Sequence, residues 1–131
     1  LATTGMDEAI WRVSAAREAG ADASFVEAPR ALEELSEIGR RAPRPNVANM
    51  LEGGKTPVLQ KEQLADLGFD LILYPLAALF SAAQAIETIY RTLRRQGSTL
   101  GSEKGMMAFE PFNDLIGVEQ RMALAERFGV E

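Results

Sequence analysis

Three short apolar runs recur along the chain, and a segment with helical spacing follows each of them. The runs cover residues 23–26, 47–50 and 70–74, and each ends in a polar residue or a turn. Short apolar runs that alternate with helical segments predict β/α units and a parallel sheet. We therefore predict an α/β fold with three parallel strands, and three such units are too few to close a barrel.

Apolar residues between the runs recur at helical spacing and predict three helices. The positions are Ile10, Val13 and Ala16 in the first, Leu32, Leu35 and Ile38 in the second, and Leu64 and Leu67 in the third. Thr4 and Asp7 form a predicted capping pair at the start of the first helix. The third apolar run is nearly continuous, which predicts a strand buried on both faces.

The last third of the chain no longer alternates short apolar runs with helical segments. Residues 76–95 predict one long helix, residues 96–105 form a polar, glycine-rich tether, and an apolar helical pattern follows to Phe128. We divide the chain into residues 1–96, which hold three β/α units, and residues 97–131, which hold the tether and a helical tail. The apolar tail is a candidate for oligomer contacts, with packing inside its own chain as the equal alternative.

Composition restricts the chemistry more than the fold. The 131 residues are 47% hydrophobic and 25% charged, which is typical of a globular domain with a core. The sequence has no Cys and no His, so catalysis or binding must use carboxylates, amides, Lys or Tyr. A net charge of -5 without a basic cluster argues against nucleic acid as a partner. No apolar stretch is long enough to span a bilayer, so we expect a cytoplasmic protein without a membrane partner.

Two polar residues at strand ends are the candidate binding groups. Glu27 follows the first run and Asn49 lies in the second, so parallel strands would place both on one face. Glu27 can orient a cationic or hydroxyl group, and its alternative role is a solvated or N-capping carboxylate. The Asn49 amide can hold a substrate carboxylate, and its alternative role is to satisfy the backbone of a local turn.

Residues 52–56, EGGKT, superficially suggest a phosphate loop. The glycine spacing before Lys55 is not that of a P-loop, and Pro57 interrupts the helix that would bind the anion. We therefore predict no nucleotide site. Lys55 remains open to two interpretations, either a surface lysine or a cation that neutralises an anion at the strand ends.

Four phrases of the sequence resemble the isocitrate lyase and phosphoenolpyruvate mutase superfamily. They are AREAGADASFVEAP at 16–29, ANMLEGGKTP at 48–57, LGFDLILYPLAAL at 67–79 and FNDLIGVEQ at 112–120. Their order and spacing together carry the resemblance, which covers nearly the whole chain. The resemblance is greatest to the smaller members, such as methylisocitrate lyase, 2,3-dimethylmalate lyase and oxaloacetate decarboxylase.

The resemblance implies that this chain is the C-terminal portion of a (β/α)8 TIM-type barrel with a helical extension. Its phrases correspond to the last three strands of the family barrel. The family uses Mg²⁺, and it exchanges a C-terminal helix between protomers to form homodimers or homotetramers. Because the family's metal ligands and catalytic residues would lie upstream of Leu1, we expect no catalytic residue here and no turnover by the isolated chain.

By resemblance, the substrate-binding positions of this chain are Glu27, Asn49 and Leu51. Leu51 stands where methylisocitrate lyases carry a Thr that helps to hold a carboxylate, and Phe80 stands where they carry an Arg. Loss of these two groups removes a hydrogen bond and a bidentate clamp. We therefore expect a substrate with fewer carboxylates or more apolar bulk than methylisocitrate.

The function that the resemblance implies is a carbon-carbon lyase. Its substrate would be a small 2-hydroxy dicarboxylate, and it would release pyruvate through an enolate stabilised by Mg²⁺. Oxaloacetate decarboxylase and phosphonate mutase are the alternatives in the same superfamily. The alternative of another class is a nonenzymatic oligomerisation scaffold, with the apolar tail as its assembly surface.

Overall fold

The computed structural model describes residues 5–129, which alternate helices and strands and then end in helices only. The elements are α1 Gly5–Glu18, β1 Ser24–Phe25, α2 Leu32–Arg41, β2 Asn46–Asn49, α3 Lys61–Asp66, β3 Leu71–Leu73, α4 Ala77–Gln96, a 3₁₀ turn Glu103–Gly105, α5 Phe109–Ile116 and α6 Val118–Phe128. The predicted alternation of helix and strand is confirmed. Thr4, half of the predicted capping pair, lies outside the described residues.

The three strands form one parallel sheet in the order β1-β2-β3. Phe25 lies beside Val47 in the register, and Asn49 lies beside Leu73. This arrangement confirms the predicted set of parallel β/α units. Because all three strands run in the same direction, the residues that follow them emerge at one edge of the sheet.

Charged side chains stabilise the two ends of α2, and a capping box stabilises the start of α3. Helix α2 carries Glu34 in its first turn and Arg41 in its last, each at the end of the helix dipole that it stabilises. Helix α3 begins with a capping box in which the Gln60 backbone donates to Gln63 Oε1 at 2.9 Å. These two helices connect β1 to β2 and β2 to β3.

The hydrophobic core lies on one face of the sheet. It joins residues of the strands and of helices α1, α2 and α3: Ala9, Ile10, Val26, Leu35, Ile38, Ala42, Ala48, Met50, Leu64 and Phe69. On the opposite face, Phe25, Leu71 and Leu73 are 43%, 50% and 41% exposed. Within the described residues, burial of the third strand on both faces is therefore not seen, and for the whole protein that expectation stays a prediction.

A close backbone contact joins helix α2 to the turn after α3. An ideal Cβ built on Gly39 would lie 1.7 Å from the carbonyl oxygen of Leu67. From the other side, a Cβ on Gly68 would lie 2.8 Å from the carbonyl oxygen of Gly39. Only glycines allow the two backbones to approach so closely.

A polar network ties β2 to the residue before β3 at the amino end of the sheet. Arg44 Nε donates to both carboxylate oxygens of Asp70 at 3.1 Å, and the Asn46 backbone donates to Asp70 Oδ2 at 2.8 Å. The Asn46 side chain is buried, and its Nδ2 donates to the carbonyls of Ala42 and Gly68 at 3.3 and 3.4 Å. The network therefore connects two segments that are distant in sequence, residues 42–46 and residues 68–70.

Acid should weaken this network through Asp70. The hydrogen bond from Arg44, and then that from the Asn46 backbone, hold the pKa of Asp70 below its ordinary value. A lowered folded-state pKa means that the stabilisation is present above the unfolded-state pKa of about 3.9 and is lost as pH falls through the folded-state pKa. Urea unfolding midpoints measured from pH 7 to pH 3 should fall less for Asp70→Asn than for the wild type. Asp66→Asn, outside the network, is the control and should keep the wild-type pH dependence; an equal loss in all three proteins would contradict the assignment.

A second compact unit begins at Ala82, inside helix α4. The helix ends at Gln96 before Gly97, whose φ is +68°, and the apolar tail divides into α5 and α6 at Gly117, whose φ is +67°. No residue of α4, α5 or α6 is buried. The proposed domain boundary after residue 96 stays a prediction. Among the described helices, none is both long and apolar enough to cross a membrane.

Candidate functional site

A pocket of about 390 Å³ lies at the carboxyl ends of β1 and β2. Its lining residues are Glu27, Ala28, Asn49, Leu51, Gly53, Gly54, Lys55 and Thr56. The three predicted site residues, Glu27, Asn49 and Leu51, are therefore brought together. Phe80, the fourth position singled out in the sequence, lies exposed on α4 and does not line this pocket.

Glu27 is exposed at the pocket, and an unusual backbone follows it. Ala28 has a φ of +58°, and within residues 5–129 no other residue except glycine has a positive φ. Alanine in this region is strained, and such strain often occurs at functional sites. The N-cap of α2 is Ala31 without a side-chain cap, so Glu27 does not serve as the N-cap.

Replacing Ala28 by glycine should relax this strain. Left-handed backbone costs a non-glycine residue roughly 1–2 kcal/mol, so Ala28→Gly should unfold at a temperature equal to or above that of the wild type. Ala28→Val, with a β-branched side chain in the same conformation, should unfold at a lower temperature. Thermal unfolding followed by circular dichroism measures both, and a more stable valine variant would contradict the assignment.

Asn49 has a buried oxygen with no internal partner. Its side chain is half-buried, and Oδ1 has no hydrogen-bond partner among the described residues. The alternative that this oxygen satisfies a local turn is therefore not supported. Buried polar atoms are nearly always paired, so this oxygen is open to a ligand or a water molecule at the pocket. Asn46 Oδ1 and Ser24 Oγ are also unpaired, but neither residue lines the pocket.

The loop after β2 folds back over Leu51. Gly54 N donates to the Leu51 carbonyl at 3.0 Å, and Gly53 has a φ of +72°. A Cβ on Gly54 would lie 3.2 Å from both Cβ and Cγ of Leu51. This tight turn brings Lys55 and Thr56 to the pocket that Leu51 also lines.

The pocket carries one charged group of each sign. Glu27 and Lys55 are both exposed, and neither takes part in an ion pair among residues 5–129. In that same part of the chain, no group of three acidic side chains lies close enough to hold a metal ion.

Sequence reasoning missed Ala28 and Thr56 as pocket residues. Thr56 lies in the segment EGGKT, where only Lys55 is weighed as a binding group from the sequence. Ala28 carries no sequence signal, since the left-handed backbone of an alanine follows from tertiary context.

Curated proteins similar to this chain include two enzymes. One is the chloroplastic carboxyvinyl-carboxyphosphonate phosphorylmutase of Arabidopsis thaliana, 44% identical over 127 residues, which are 97% of this chain and 38% of that protein. Another is the 2,3-dimethylmalate lyase of Eubacterium barkeri, 40% identical over 118 residues, which are 90% of this chain and 41% of that protein. No family model matches the chain.

The solved structures that are similar to this chain are also enzymes. A crystal structure of 2,3-dimethylmalate lyase, described as a member of the PEP mutase/isocitrate lyase superfamily, matches 97% of this chain with a TM-score of 0.84 and 30% identity. The chain belongs to the isocitrate lyase and phosphoenolpyruvate mutase superfamily. A structure of oxaloacetate acetylhydrolase with its product oxalate, also from this superfamily, matches 98% of the chain with a TM-score of 0.85 and 29% identity.

The chain spans about two fifths of these superfamily members. It covers 38% and 41% of the two curated relatives, and 44% of each of the two solved chains. The predicted fold, part of a TIM-type barrel with three parallel strands, is confirmed. The relatives are lyases and mutases.

Proposed function

We propose that the whole protein to which this chain belongs is a carbon-carbon lyase for a small branched 2-hydroxy dicarboxylate of the 2,3-dimethylmalate type. One observation carries the proposal: Glu27, Asn49 and Leu51 line a single pocket at the carboxyl ends of parallel strands. Parallel β/α barrels hold their active sites at this end. The 40% identity to 2,3-dimethylmalate lyase supports the choice of substrate class.

In the proposed reaction, the bond between C2 and C3 of the substrate breaks. The C2 hydroxyl gives up its proton and becomes the ketone of pyruvate. The electron pair passes to C3 as an enolate-like carbanion, which then takes up a proton to give the second carboxylic acid. Atoms and electrons balance without an external oxidant or reductant.

The residues of this chain would bind and orient the substrate. The amide of Asn49 can donate to a carboxylate, and the carboxylate of Glu27 can accept from the substrate hydroxyl. Leu51 offers apolar surface to a methyl branch, where a Thr would offer a hydroxyl. This division of roles favours a branched, apolar substrate over one with a third carboxylate.

The cofactor of the proposed enzyme is Mg²⁺, which would supply positive charge for the developing enolate. No residue of this chain is assigned as a Mg²⁺ ligand in this proposal. We also propose a cytoplasmic location.

A homodimer or homotetramer formed through the C-terminal helices is part of the proposal. The support is apolar exposure, since α4, α5 and α6 contain no buried residue. The exposed large side chains include Leu79, Ile86, Tyr90, Phe109, Leu115, Met122 and Phe128. In the whole protein these side chains must be covered either by its other residues or by a second copy, and the proposal assigns the second copy.

Pyruvate release by the whole protein tests the proposed reaction. The substrates are 2,3-dimethylmalate, 2-methylisocitrate and oxaloacetate, each assayed with Mg²⁺ and with EDTA. We expect the highest kcat/KM with 2,3-dimethylmalate in the presence of Mg²⁺. In the presence of EDTA we expect no pyruvate release from any substrate. A preference for oxaloacetate would favour a decarboxylase, and no metal-dependent turnover of any of the three would favour a phosphonate mutase or a scaffold.

A further inference from the structure

We propose that Lys55 binds the substrate carboxylate remote from the 2-hydroxyl group and so selects dicarboxylates over monocarboxylates. The inference rests on the proposed function and adds a specificity-determining residue to the same pocket. Lys55 is the only basic residue among the eight that line the pocket. Any substrate carboxylate that meets a cation from this lining must therefore meet Lys55.

The loop geometry brings Lys55 to the pocket. A lysine in an exposed turn normally extends into solvent, and this was the simpler interpretation of the sequence. Here the turn at Gly53 and Gly54 folds back on Leu51, with the Gly54 N to Leu51 O hydrogen bond at 3.0 Å. Gly54 packs closely on Leu51, since a Cβ at this position would lie 3.2 Å from the Leu51 side chain.

The ammonium group of Lys55 is available to a ligand. Glu27 is the one acidic residue of the lining, yet no nitrogen–oxygen distance within 4 Å pairs it with Lys55 in the described structure. Lys55 also shares the lining with the Asn49 amide and the Thr56 hydroxyl, two groups that can donate to an anion. The pocket lining therefore offers one charged and two neutral donors to an anionic ligand.

The chemistry favours the remote carboxylate as the partner of Lys55. When the bond between C2 and C3 breaks, negative charge develops on C3 and spreads into the carboxylate attached to it. A cation beside that carboxylate is more favourable in the transition state than in the ground state. Glu27, a carboxylate, is suited instead to the neutral hydroxyl at C2.

Binding of two matched ligands tests the inference without relying on turnover. Malate carries the remote carboxylate, and 2-hydroxybutyrate carries a methyl group in its place. Dissociation constants are measured by calorimetry on the whole protein with Mg²⁺ present, for the wild type, Lys55→Gln and Lys55→Arg. Lys61→Gln removes an exposed lysine of α3 outside the pocket and is the matched control.

We expect Lys55→Gln to weaken malate binding about tenfold or more, as for loss of a charged hydrogen bond. Its affinity for 2-hydroxybutyrate should change less than about twofold, Lys55→Arg should recover most of the malate affinity, and Lys61→Gln should match the wild type. The inference is overturned if Lys55→Gln weakens the binding of malate and of 2-hydroxybutyrate equally, or weakens the binding of neither. It is also overturned if the wild type does not bind malate. Failure of the proposed function is seen separately, as absence of pyruvate release by a wild type that still binds malate.

Discussion

Replacing Gly39 by alanine should destabilise the protein by about 3 kcal/mol, in the upper range for overpacking a closely packed site. An ideal Cβ would lie 1.7 Å from the Leu67 carbonyl oxygen and 2.8 Å from its carbon, both backbone atoms. Backbone cannot rotate away as a side chain can, so α2 and the turn after α3 must separate. Helix propensity alone predicts the opposite sign, since alanine is favoured over glycine by about 1 kcal/mol.

Urea unfolding measures this effect, with Gly105→Ala as the matched control. A Cβ on Gly105 would meet no atom within 4 Å, and its φ is not positive. The control should therefore lie within about 0.5 kcal/mol of the wild type. A Gly39→Ala variant as stable as the wild type would contradict the close approach of α2 to the turn after α3.

Replacing Asn49 by alanine should lower kcat/KM for the dicarboxylate substrate by about 10- to 100-fold, because a hydrogen bond to a charged group contributes about 1.5–3 kcal/mol. Stability should be unchanged or slightly higher. The reason is that Asn49 Oδ1 is buried without a partner, so the variant loses an unfavourable group and no internal hydrogen bond of that oxygen. Steady-state kinetics and thermal unfolding of the whole protein measure the two effects.

Asn46 provides the matched control on the same strand. It lies three positions earlier in β2, outside the pocket lining, and its Nδ2 donates to the carbonyls of Ala42 and Gly68. Asn46→Ala should therefore lose about 1–3 kcal/mol of stability and keep its KM. If Asn49→Ala instead lost stability and kept its KM, Asn49 would be a structural residue.

The sequence was sufficient to predict the arrangement of strands and the meeting of Glu27 with Asn49. Apolar runs separated by helical segments permit few topologies other than a parallel sheet, and parallel strands place their carboxyl ends together. Strand lengths were overestimated: residues 23–26 were predicted where only Ser24–Phe25 pairs, because pairing depends on the neighbouring strand.

Other features depend on long-range contacts that local patterns do not encode. The close approach of Gly39 to Leu67 joins residues far apart in sequence, so no local pattern marks it. The left-handed Ala28 was missed because its conformation follows from the residues packed around it.

A crystal structure of the whole protein with oxalate tests most directly whether these strand ends form the substrate site. Oxalate is a product bound in the structure of the similar oxaloacetate acetylhydrolase, and it carries the carboxylates that the pocket is proposed to hold. We predict oxalate in the pocket lined by Glu27, Asn49 and Leu51, with a carboxylate oxygen within about 3.2 Å of the Asn49 amide nitrogen. Oxalate bound at another place, with this pocket filled only by water, would contradict the account.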